Sequence, residues 1–241
     1  MRLREFTSAR VMLGRTGHSL PTPELLQFQL AHARARDAVH AGLDVMSLTI
    51  ELKQRGLECL ATKSAAPDRL TYLRRPDLGR RLSPDSIRIL SAARSEFDAA
   101  FVIADGLSAL AVHRNALAVL DAALERLRDW RIAPRVVVEQ GRVAVGDEIA
   151  GLLGASSAVI LLGERPGLSA PDSLGIYITW KPVPGVTRDS ERNCISNIRL
   201  GGLSAEVAAE RMVFLLNESR RRKLSGVRLK EAGDLRQVGP A

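Results

Sequence analysis

Short segments rich in glycine, proline and charged residues follow three predicted strands, and their composition suits ligand binding. These segments are 105–108, 139–143 and 163–167. Glycine lets the backbone approach a ligand closely, and proline stiffens the loop that presents it. In an α/β sheet, ligands bind outside the carboxyl ends of the strands, near the point where strand order reverses. The pattern therefore predicts a binding crevice, although it does not identify the ligand.

Sequence motifs for several common chemistries are missing. No GxGxxG follows the first predicted strand and no GxxxxGK[ST] occurs, so dinucleotide and P-loop nucleotide binding lack their usual phosphate loops. The histidines are His18, His32, His40 and His113. None is paired with a Ser or Cys nucleophile at a recognised spacing, so we expect surface or structural roles for them. Cys59 and Cys194 lie in no CxxC pair and near no histidine at zinc-ligand spacing. We nominate no catalytic acid, base or nucleophile and no metal ligand.

The amino-terminal part of the chain predicts helices. Thr22 can cap a helix with Pro23 at its first position, and apolar residues recur at helical spacing up to Gly42. The segment 83–85, Ser-Pro-Asp, repeats this start for a helix that ends before residue 95. Residues 46–55 are predicted as a further helix, while 56–70 fit either a short strand or an irregular connection.

From about residue 96 the pattern changes to strands that alternate with helices. The predicted strands are 99–104, 135–138, 158–162, 175–180 and 194–198. The predicted helices are 107–130, 147–153 and 204–224. Such alternation implies right-handed βαβ crossovers and a mainly parallel sheet. The fold class is therefore α/β, with a helical amino-terminal region followed by a Rossmann-like domain.

Composition is that of a soluble globular protein, with 46% hydrophobic and 26% charged residues in a chain of 241. This length suffices for one sizeable core or two small ones. No apolar run approaches the roughly 20 residues needed to span a bilayer, and residues 1–5 lack the apolar stretch of a secretory signal. We therefore expect a cytoplasmic protein with no membrane partner.

The net charge of +8 raises the question of an acidic partner. Because Lys and Arg neutralise phosphates, a nucleic-acid-binding or nucleotide-binding α/β module is the competing interpretation. The densest basic run, 220–223, ends a predicted helix, where cations complement the helix dipole. Only 4% of residues are aromatic, and they do not interleave with basic residues as in a base-stacking platform. We expect no nucleic-acid partner, and an acidic protein partner accounts equally well for the charge.

Several blocks of sequence together resemble one enzyme family. The most informative block, 159–198, contains GERPGL at 163–168, DSLG at 172–175 and RNCISNI at 192–198. Further blocks lie at 13–17, 70–82, 105–108, 141–143 and 147–155. Together they resemble the small subunit of ethanolamine ammonia-lyase over nearly the whole chain, from about residue 10 to residue 230.

The resemblance implies a carbon–nitrogen lyase that converts ethanolamine to acetaldehyde and ammonia by adenosylcobalamin-dependent radical chemistry. In that family a large TIM-barrel subunit binds the amino alcohol, and the cofactor lies between the barrel and the small subunit. We therefore expect a large-subunit partner, a dimer of heterodimers within a larger oligomer, and no activity from this chain alone. Since the chain lacks an Asp-x-His-x-x-Gly pattern, the cofactor's own benzimidazole should remain on cobalt.

Carried over by position, the family's cofactor contacts fall on Val143, Glu164 and Cys194. The resemblance implies that Val143 meets the corrin amides through a backbone group and that Glu164 accepts hydrogen bonds from corrin amides or the nucleotide tail. It implies a packing and weak polar contact for Cys194. The residue types alone fit other roles, namely a β-branched core residue at Val143, an ion pair of Glu164 with Arg165 or another arginine, and a buried thiol at Cys194.

The expected organisation has three parts. Residues 1–95 form a mainly helical domain, 96–230 a Rossmann-like domain that contacts cobalamin, and 231–241 a carboxyl-terminal tail. Some members of the resembled family carry a long amino-terminal extension that can target them to a bacterial microcompartment. This chain reaches the matching region within about ten residues, so we expect no such extension, and encapsulation stays open.

Overall fold

A six-stranded mixed sheet lies at the centre of the computed structural model, which describes residues 9–229. The strands are β1 Cys59–Lys63, β2 Phe97–Ala104, β3 Arg135–Glu139, β4 Ala155–Gly163, β5 Leu174–Trp180 and β6 Arg192–Ile198. Their order across the sheet is β1-β3-β2-β4-β5-β6. The first four strands in that order are parallel, and β5 and β6 continue the sheet antiparallel. The predicted α/β class with a mainly parallel sheet is confirmed.

Helices cover both faces of the sheet. Within residues 9–229 they are α1 Thr22–His40, α2 Val45–Gln54, α3 Arg69–Arg74, α4 Pro84–Ala92, α5 Ala109–Leu124, α6 Val145–Leu153 and α7 Ala205–Arg222. Helices α2, α5 and α7 share one apolar cluster with the sheet, and α4 and α6 share the other. The result is a three-layer α/β/α arrangement, and α1 adds only Ala31 and Ala38 to the buried set.

Strand β2 shows why its sequence predicted a fully covered strand. Ala99, Phe101 and Ile103 belong to one apolar cluster, whereas Ala100 and Val102 belong to the other. Successive side chains of a strand point to opposite faces, so an uninterrupted apolar run requires helices on both sides. The chain supplies those helices immediately before and after the strand.

The predicted capping residue is correct for the start of α4 but not for the start of α1. Ser83 caps α4 by accepting a hydrogen bond from the Ser86 N–H, and Pro84 takes the first helical position as predicted. The prediction for α1 was wrong by one residue, because the helix already includes Thr22 and no side chain caps it. Helix α5 is shorter than the predicted 107–130. Ser108 caps its start, and tighter turn bonds replace the helical pattern after Leu124.

Strand β1 comes from the segment that fitted either a strand or an irregular connection. It pairs in parallel with β3, with Cys59 opposite Arg135. The sheet therefore extends into residues 1–95, and α2 and α4 from that segment pack against it. The division near residue 95 stays a prediction, and the tail 231–241 lies outside the described residues.

Strand order reverses at β2, because the chain places β3 on one side of it and β4 on the other. The loops that follow these three strands meet at their carboxyl ends. Gly106 has a φ of +53°, and a Cβ there would lie 2.3 Å from the Gly163 carbonyl oxygen. Only glycine permits this approach of the β2 and β4 ends, which forms the floor of a cleft. Across residues 9–229, no helix combines the length and apolarity needed to cross a membrane.

Candidate functional site

A cleft of about 1300 Å³ opens at the reversal of strand order, as the polar loops predicted. Gly106, Arg142, Val143 and Glu164 line it from the ends of the three strands. Segments 76–81 and 184–189 contribute to its outer walls. Typical small-molecule pockets hold about 300–1,000 Å³. The cleft therefore suits a ligand larger than most metabolites.

The structure brings two of the three predicted contact residues into this cleft. Val143 and Glu164 both line it, on loops that follow β3 and β4. Cys194 lies on β6 opposite Tyr177 of β5, and Tyr177 itself lines the cleft. Cys194 is thus a neighbour of the lining and does not belong to it.

Glu164 presents one partnered and one free carboxylate oxygen to the cleft. Its Oε2 accepts a hydrogen bond from the Ser173 hydroxyl and another, of 3.3 Å, from the Asn197 N–H. No described residue donates to Oε1, and no described cation forms an ion pair with this carboxylate. The alternative of an ion pair with Arg165 is therefore not observed. Gly175 leaves room for the carboxylate, since a Cβ there would lie 3.0 Å from Oε1.

Val143 combines a structural role with a position at the site. Its side chain packs against the apolar cluster beneath α4 and α6. Its carbonyl accepts a hydrogen bond of 3.1 Å from the Gly146 N–H as the chain enters α6. The Val143 N–H has no acceptor among residues 9–229. The β-branched side chain therefore anchors the loop, while the backbone keeps a free donor.

The thiol of Cys194 interacts with the phenol of Tyr177. Although much of its residue surface is exposed, desolvation raises the pKa of this thiol. Burial likewise raises the pKa of Tyr177. Both groups therefore stay protonated and uncharged at neutral pH.

Beneath the cleft, the buried carboxylate of Asp105 joins two loops. It accepts a hydrogen bond of 3.1 Å from the Gly141 N–H and one of 3.0 Å from Arg69 Nη1. The same Arg69 nitrogen donates to the Gly106 carbonyl at 2.9 Å. Burial raises the pKa of Asp105 to about 6, and Arg69 opposes that shift. Asp105 therefore fixes the loops after β2 and β3 relative to each other.

A second buried pair joins the opposite wall. Arg192 on β6 donates to both carboxylate oxygens of Asp147 on α6, at 2.6 and 2.7 Å. It also donates to the Thr179 hydroxyl at 3.1 Å. Both charged side chains are almost fully buried. A two-point arginine–carboxylate pair of this kind fixes orientation as well as distance.

Arg142 and Tyr72 form a cation–π pair in the lining of the cleft. The Arg142 guanidinium lies over the Tyr72 ring, 4.4 Å from its centroid. The Tyr72 hydroxyl donates to the Gly141 carbonyl at 3.1 Å, and the Arg142 N–H donates to the Gly79 carbonyl at 2.7 Å. A Cβ at Gly79 would lie 2.7 Å from the Tyr72 ring and 2.8 Å from Arg142. The absence of that atom allows the stack.

Other charged groups behave as the sequence suggested. In the last turn of α7, Arg221 and Arg222 both pair with Glu218, and Arg220 pairs with Asp98. Glu218 and Asp98 therefore offset part of the positive charge of the densest basic run. His113 accepts a hydrogen bond of 3.1 Å from the Asp44 N–H, so it is a satisfied structural histidine. Across residues 9–229, no three His, Cys, Asp or Glu side chains cluster as a metal site would require.

Several residues that build the cleft were not nominated from sequence. They are Tyr72, Asp105, Arg142, Asp147, Tyr177 and Arg192. Asp105 and Arg142 stand in the polar segments after β2 and β3, so their position was a usable signal. Asp105 contacts Arg69, 36 residues away, and Arg142 contacts Tyr72, 70 residues away. Contacts between such distant residues leave no local pattern in the sequence.

Comparison with known proteins finds relatives that match almost the full length of this chain. Residues 1–230 match the model of the family described as Ethanolamine ammonia-lyase light chain (EutC). The ethanolamine ammonia-lyase small subunit of Pseudomonas fluorescens strain Pf-5 is 55% identical, over 99% of this chain and 89% of the relative. The protein of the same name from Azotobacter vinelandii is 54% identical, over 99% and 90%. That from Pseudomonas putida strain KT2440 is 54% identical, over 98% and 89%.

Proposed function

Since the chain belongs to the ethanolamine ammonia-lyase light chain family, we propose that it is the small subunit of an adenosylcobalamin-dependent ethanolamine ammonia-lyase. This enzyme is a carbon–nitrogen lyase of ethanolamine degradation, and it converts ethanolamine to acetaldehyde and ammonia. The observation that carries the proposal is the large cleft, which both Val143 and Glu164 line. The family match over residues 1–230 supports it.

The chemistry of the cleft fits such a cofactor. A corrin carries neutral amide side chains around its rim and a nucleotide tail with one phosphodiester. Amide groups need both donors and acceptors, and the cleft offers the free Oε1 of Glu164 and the free N–H of Val143. Apolar surface from Leu107, Leu162 and Pro184 suits the flat corrin ring.

We infer distinct roles for the three residues carried over from the family. Glu164 accepts a hydrogen bond from a corrin amide or the nucleotide tail through Oε1. Val143 donates its N–H to a corrin amide oxygen. Cys194 lies beside Tyr177 and outside the lining, so it acts on the cofactor through Tyr177, to which it gives packing and a weak polar contact. Each group holds and orients the cofactor, and none transfers a proton.

When bound, adenosylcobalamin supplies an adenosyl radical by homolysis of its cobalt–carbon bond. The residues of this chain orient the corrin and cover one side of it, which restricts access of water and of competing hydrogen donors. The phenol of Tyr177 and the thiol of Cys194 are protonated and add no charge beside the cofactor. Substrate-binding residues are assigned to the partner subunit, so this chain contributes no catalytic residue.

The partner is the large subunit, a TIM barrel that closes the cofactor from the other side. The relatives' designation as a small subunit supports a two-subunit enzyme. We propose a dimer of heterodimers within a larger oligomer, located in the cytoplasm.

The test is ethanolamine-dependent ammonia release with each component omitted in turn. The chain, its large subunit and adenosylcobalamin together should release ammonia, and omission of any one should reduce release to background. The large subunit with an unrelated basic α/β protein in place of this chain serves as the control. Ammonia release by this chain alone, or by the large subunit and cofactor without it, would contradict the proposal.

A further inference from the structure

Arg142 is positioned by packing and not by an ion pair. Its guanidinium lies over the Tyr72 ring, and its stem fits the space that Gly79 leaves by having no side chain. The Tyr72 ring is itself fixed, because its hydroxyl is bonded to the Gly141 carbonyl. An arginine held in this way loses little conformational freedom when it binds a ligand.

The charge of Arg142 has no counterpart within the described part of the chain. No residue among 9–229 accepts a hydrogen bond from its guanidinium, and its Nε is buried without a partner. Arg192, the other arginine of the cleft that is not exposed, gives two hydrogen bonds to Asp147. An unneutralised, partly buried guanidinium is costly in a folded protein, and a site for an anion is the arrangement that offsets this cost.

The start of α6 adds further donors beside Arg142. Residues 142–144 lead directly into this nine-residue helix, whose amino-terminal cap position is Ala144, without a side-chain cap. The N–H groups of Val143 and Ala144 have no acceptor among residues 9–229. The carboxylates of the first turn already have partners, since Asp147 binds Arg192 and Glu148 accepts from the Leu82 N–H at 2.7 Å. Free N–H groups at a helix start favour anions.

We propose that Arg142, with the free N–H group of Ala144, binds the phosphodiester of the cofactor's nucleotide tail. This inference rests on the proposed function and adds a residue that the family resemblance did not supply. A guanidinium has only donors and a permanent charge, so it discriminates an anion from a neutral amide. The phosphodiester is the only peripheral group of the cofactor with negative charge. Arg80 and Arg81 line the same cleft and increase the positive potential around it.

The experiment compares two corrins that differ only in the anion. Cobinamide carries no nucleotide and no phosphate, whereas cobinamide phosphate adds the phosphate alone. Binding of each to the assembled two-subunit protein is measured by corrin absorption, so the readout does not depend on turnover. The wild-type protein should bind cobinamide phosphate about 10- to 100-fold more tightly, as expected for a charge-assisted hydrogen-bond pair.

Arg142→Met keeps the packing on Tyr72 and removes the charge, so it should abolish the preference and leave cobinamide binding unchanged. Arg142→Lys keeps the charge without the planar fork and should retain part of the preference. The matched control is Arg88→Met, which removes an exposed arginine of α4 paired with Asp85 and should change neither affinity.

The outcomes separate this inference from the proposed function. If the wild-type protein binds neither corrin nor cobalamin, the proposed function is wrong. If it binds both cobinamides equally, or if Arg142→Met weakens both to the same extent, the phosphate assignment is wrong while cofactor binding stands. A preference lost only in the Arg142 variants supports the assignment.

Discussion

At the scale of single residues, Asp105 shows how one buried carboxylate defines the site. It holds the Gly141 N–H and Arg69 at the same time, and Arg69 in turn holds the Gly106 carbonyl. The loop after β2 and the loop that carries Arg142 and Val143 therefore share one anchor. Because desolvation dominates over the neighbouring cation, this anchor binds a proton more tightly than a free aspartate does.

We predict that Asp105→Asn changes the pH dependence of stability. The folded-state pKa is raised to about 6, whereas an unfolded aspartate titrates near 3.9, so the folded chain binds more protons between these values. The Asp105 contribution is therefore complete below about pH 4 and is lost as pH rises through 6. The free energy of unfolding of wild type minus that of the variant should fall between about pH 4 and 6 and then level off.

Urea unfolding of the purified chain at a series of pH values measures this difference. A difference that rises with pH over the same range would mean that the ion pair with Arg69 outweighs burial. In that case Asp105 would be anchored as a carboxylate, and the prediction would fail.

Residue types at strand ends predicted part of the site, and contacts across the fold determined the rest. Val143 and Glu164 line the cleft because each follows a parallel strand, and the carboxyl ends of parallel strands lie at the same edge of the sheet. The stack of Arg142 on Tyr72 depends on the meeting of segments 70 residues apart, together with a missing Cβ at Gly79. Neither condition leaves a local pattern in the sequence.

At the scale of elements, the Asp147–Arg192 pair joins α6 to β6 along one wall of the cleft. In sequence, α6 precedes β4 and β6 follows β5. The pair therefore connects a helix on one face of the sheet to the strand at its edge. Breaking a buried pair leaves one charge without its partner, whereas an exposed pair contributes little.

Arg192→Met should therefore lower the free energy of unfolding by about 3–5 kcal/mol, because Asp147 stays buried and unpaired. Arg114→Met is the matched control. Arg114 pairs with Asp172 at 2.7 Å with its side chain 57% exposed, so its loss should cost about 0–1 kcal/mol. Denaturant unfolding of both variants gives the comparison. Equal effects of the two substitutions would show that the buried pair does not hold the wall.

Elements were predictable where burial produced a regular pattern. Strands β2 and β4 read as apolar runs because helices cover both faces, and Ser83-Pro84 marks the start of α4 by its capping chemistry. Strand β1, Cys-Leu-Ala-Thr-Lys, lies at the sheet edge with only Thr62 buried. Its half-exposed sequence carries too weak an alternation to distinguish a strand from a loop.

At the scale of the whole molecule, the question is whether residues 96–230 form a unit on their own. That segment lacks β1, α2 and α4, which cover β3 and both sheet faces. We predict that a fragment of residues 96–230 does not unfold cooperatively on heating, whereas one of 43–230 does. Circular dichroism melting of the two fragments checks this. Equal melting midpoints would support a domain boundary near residue 95.

The pairing of β1 with β3 also sets a condition on how the chain is made. Thr62 and Val137, which share a hydrogen bond of 3.1 Å across the two strands, are separated by 75 residues. At about 5–20 residues per second, the ribosome needs roughly 4–15 seconds between them. Throughout that interval β1 has been synthesised but has no strand to join, because among residues 9–229 only β3 pairs with it. An exposed strand edge thus persists on the growing chain until β3 has been made.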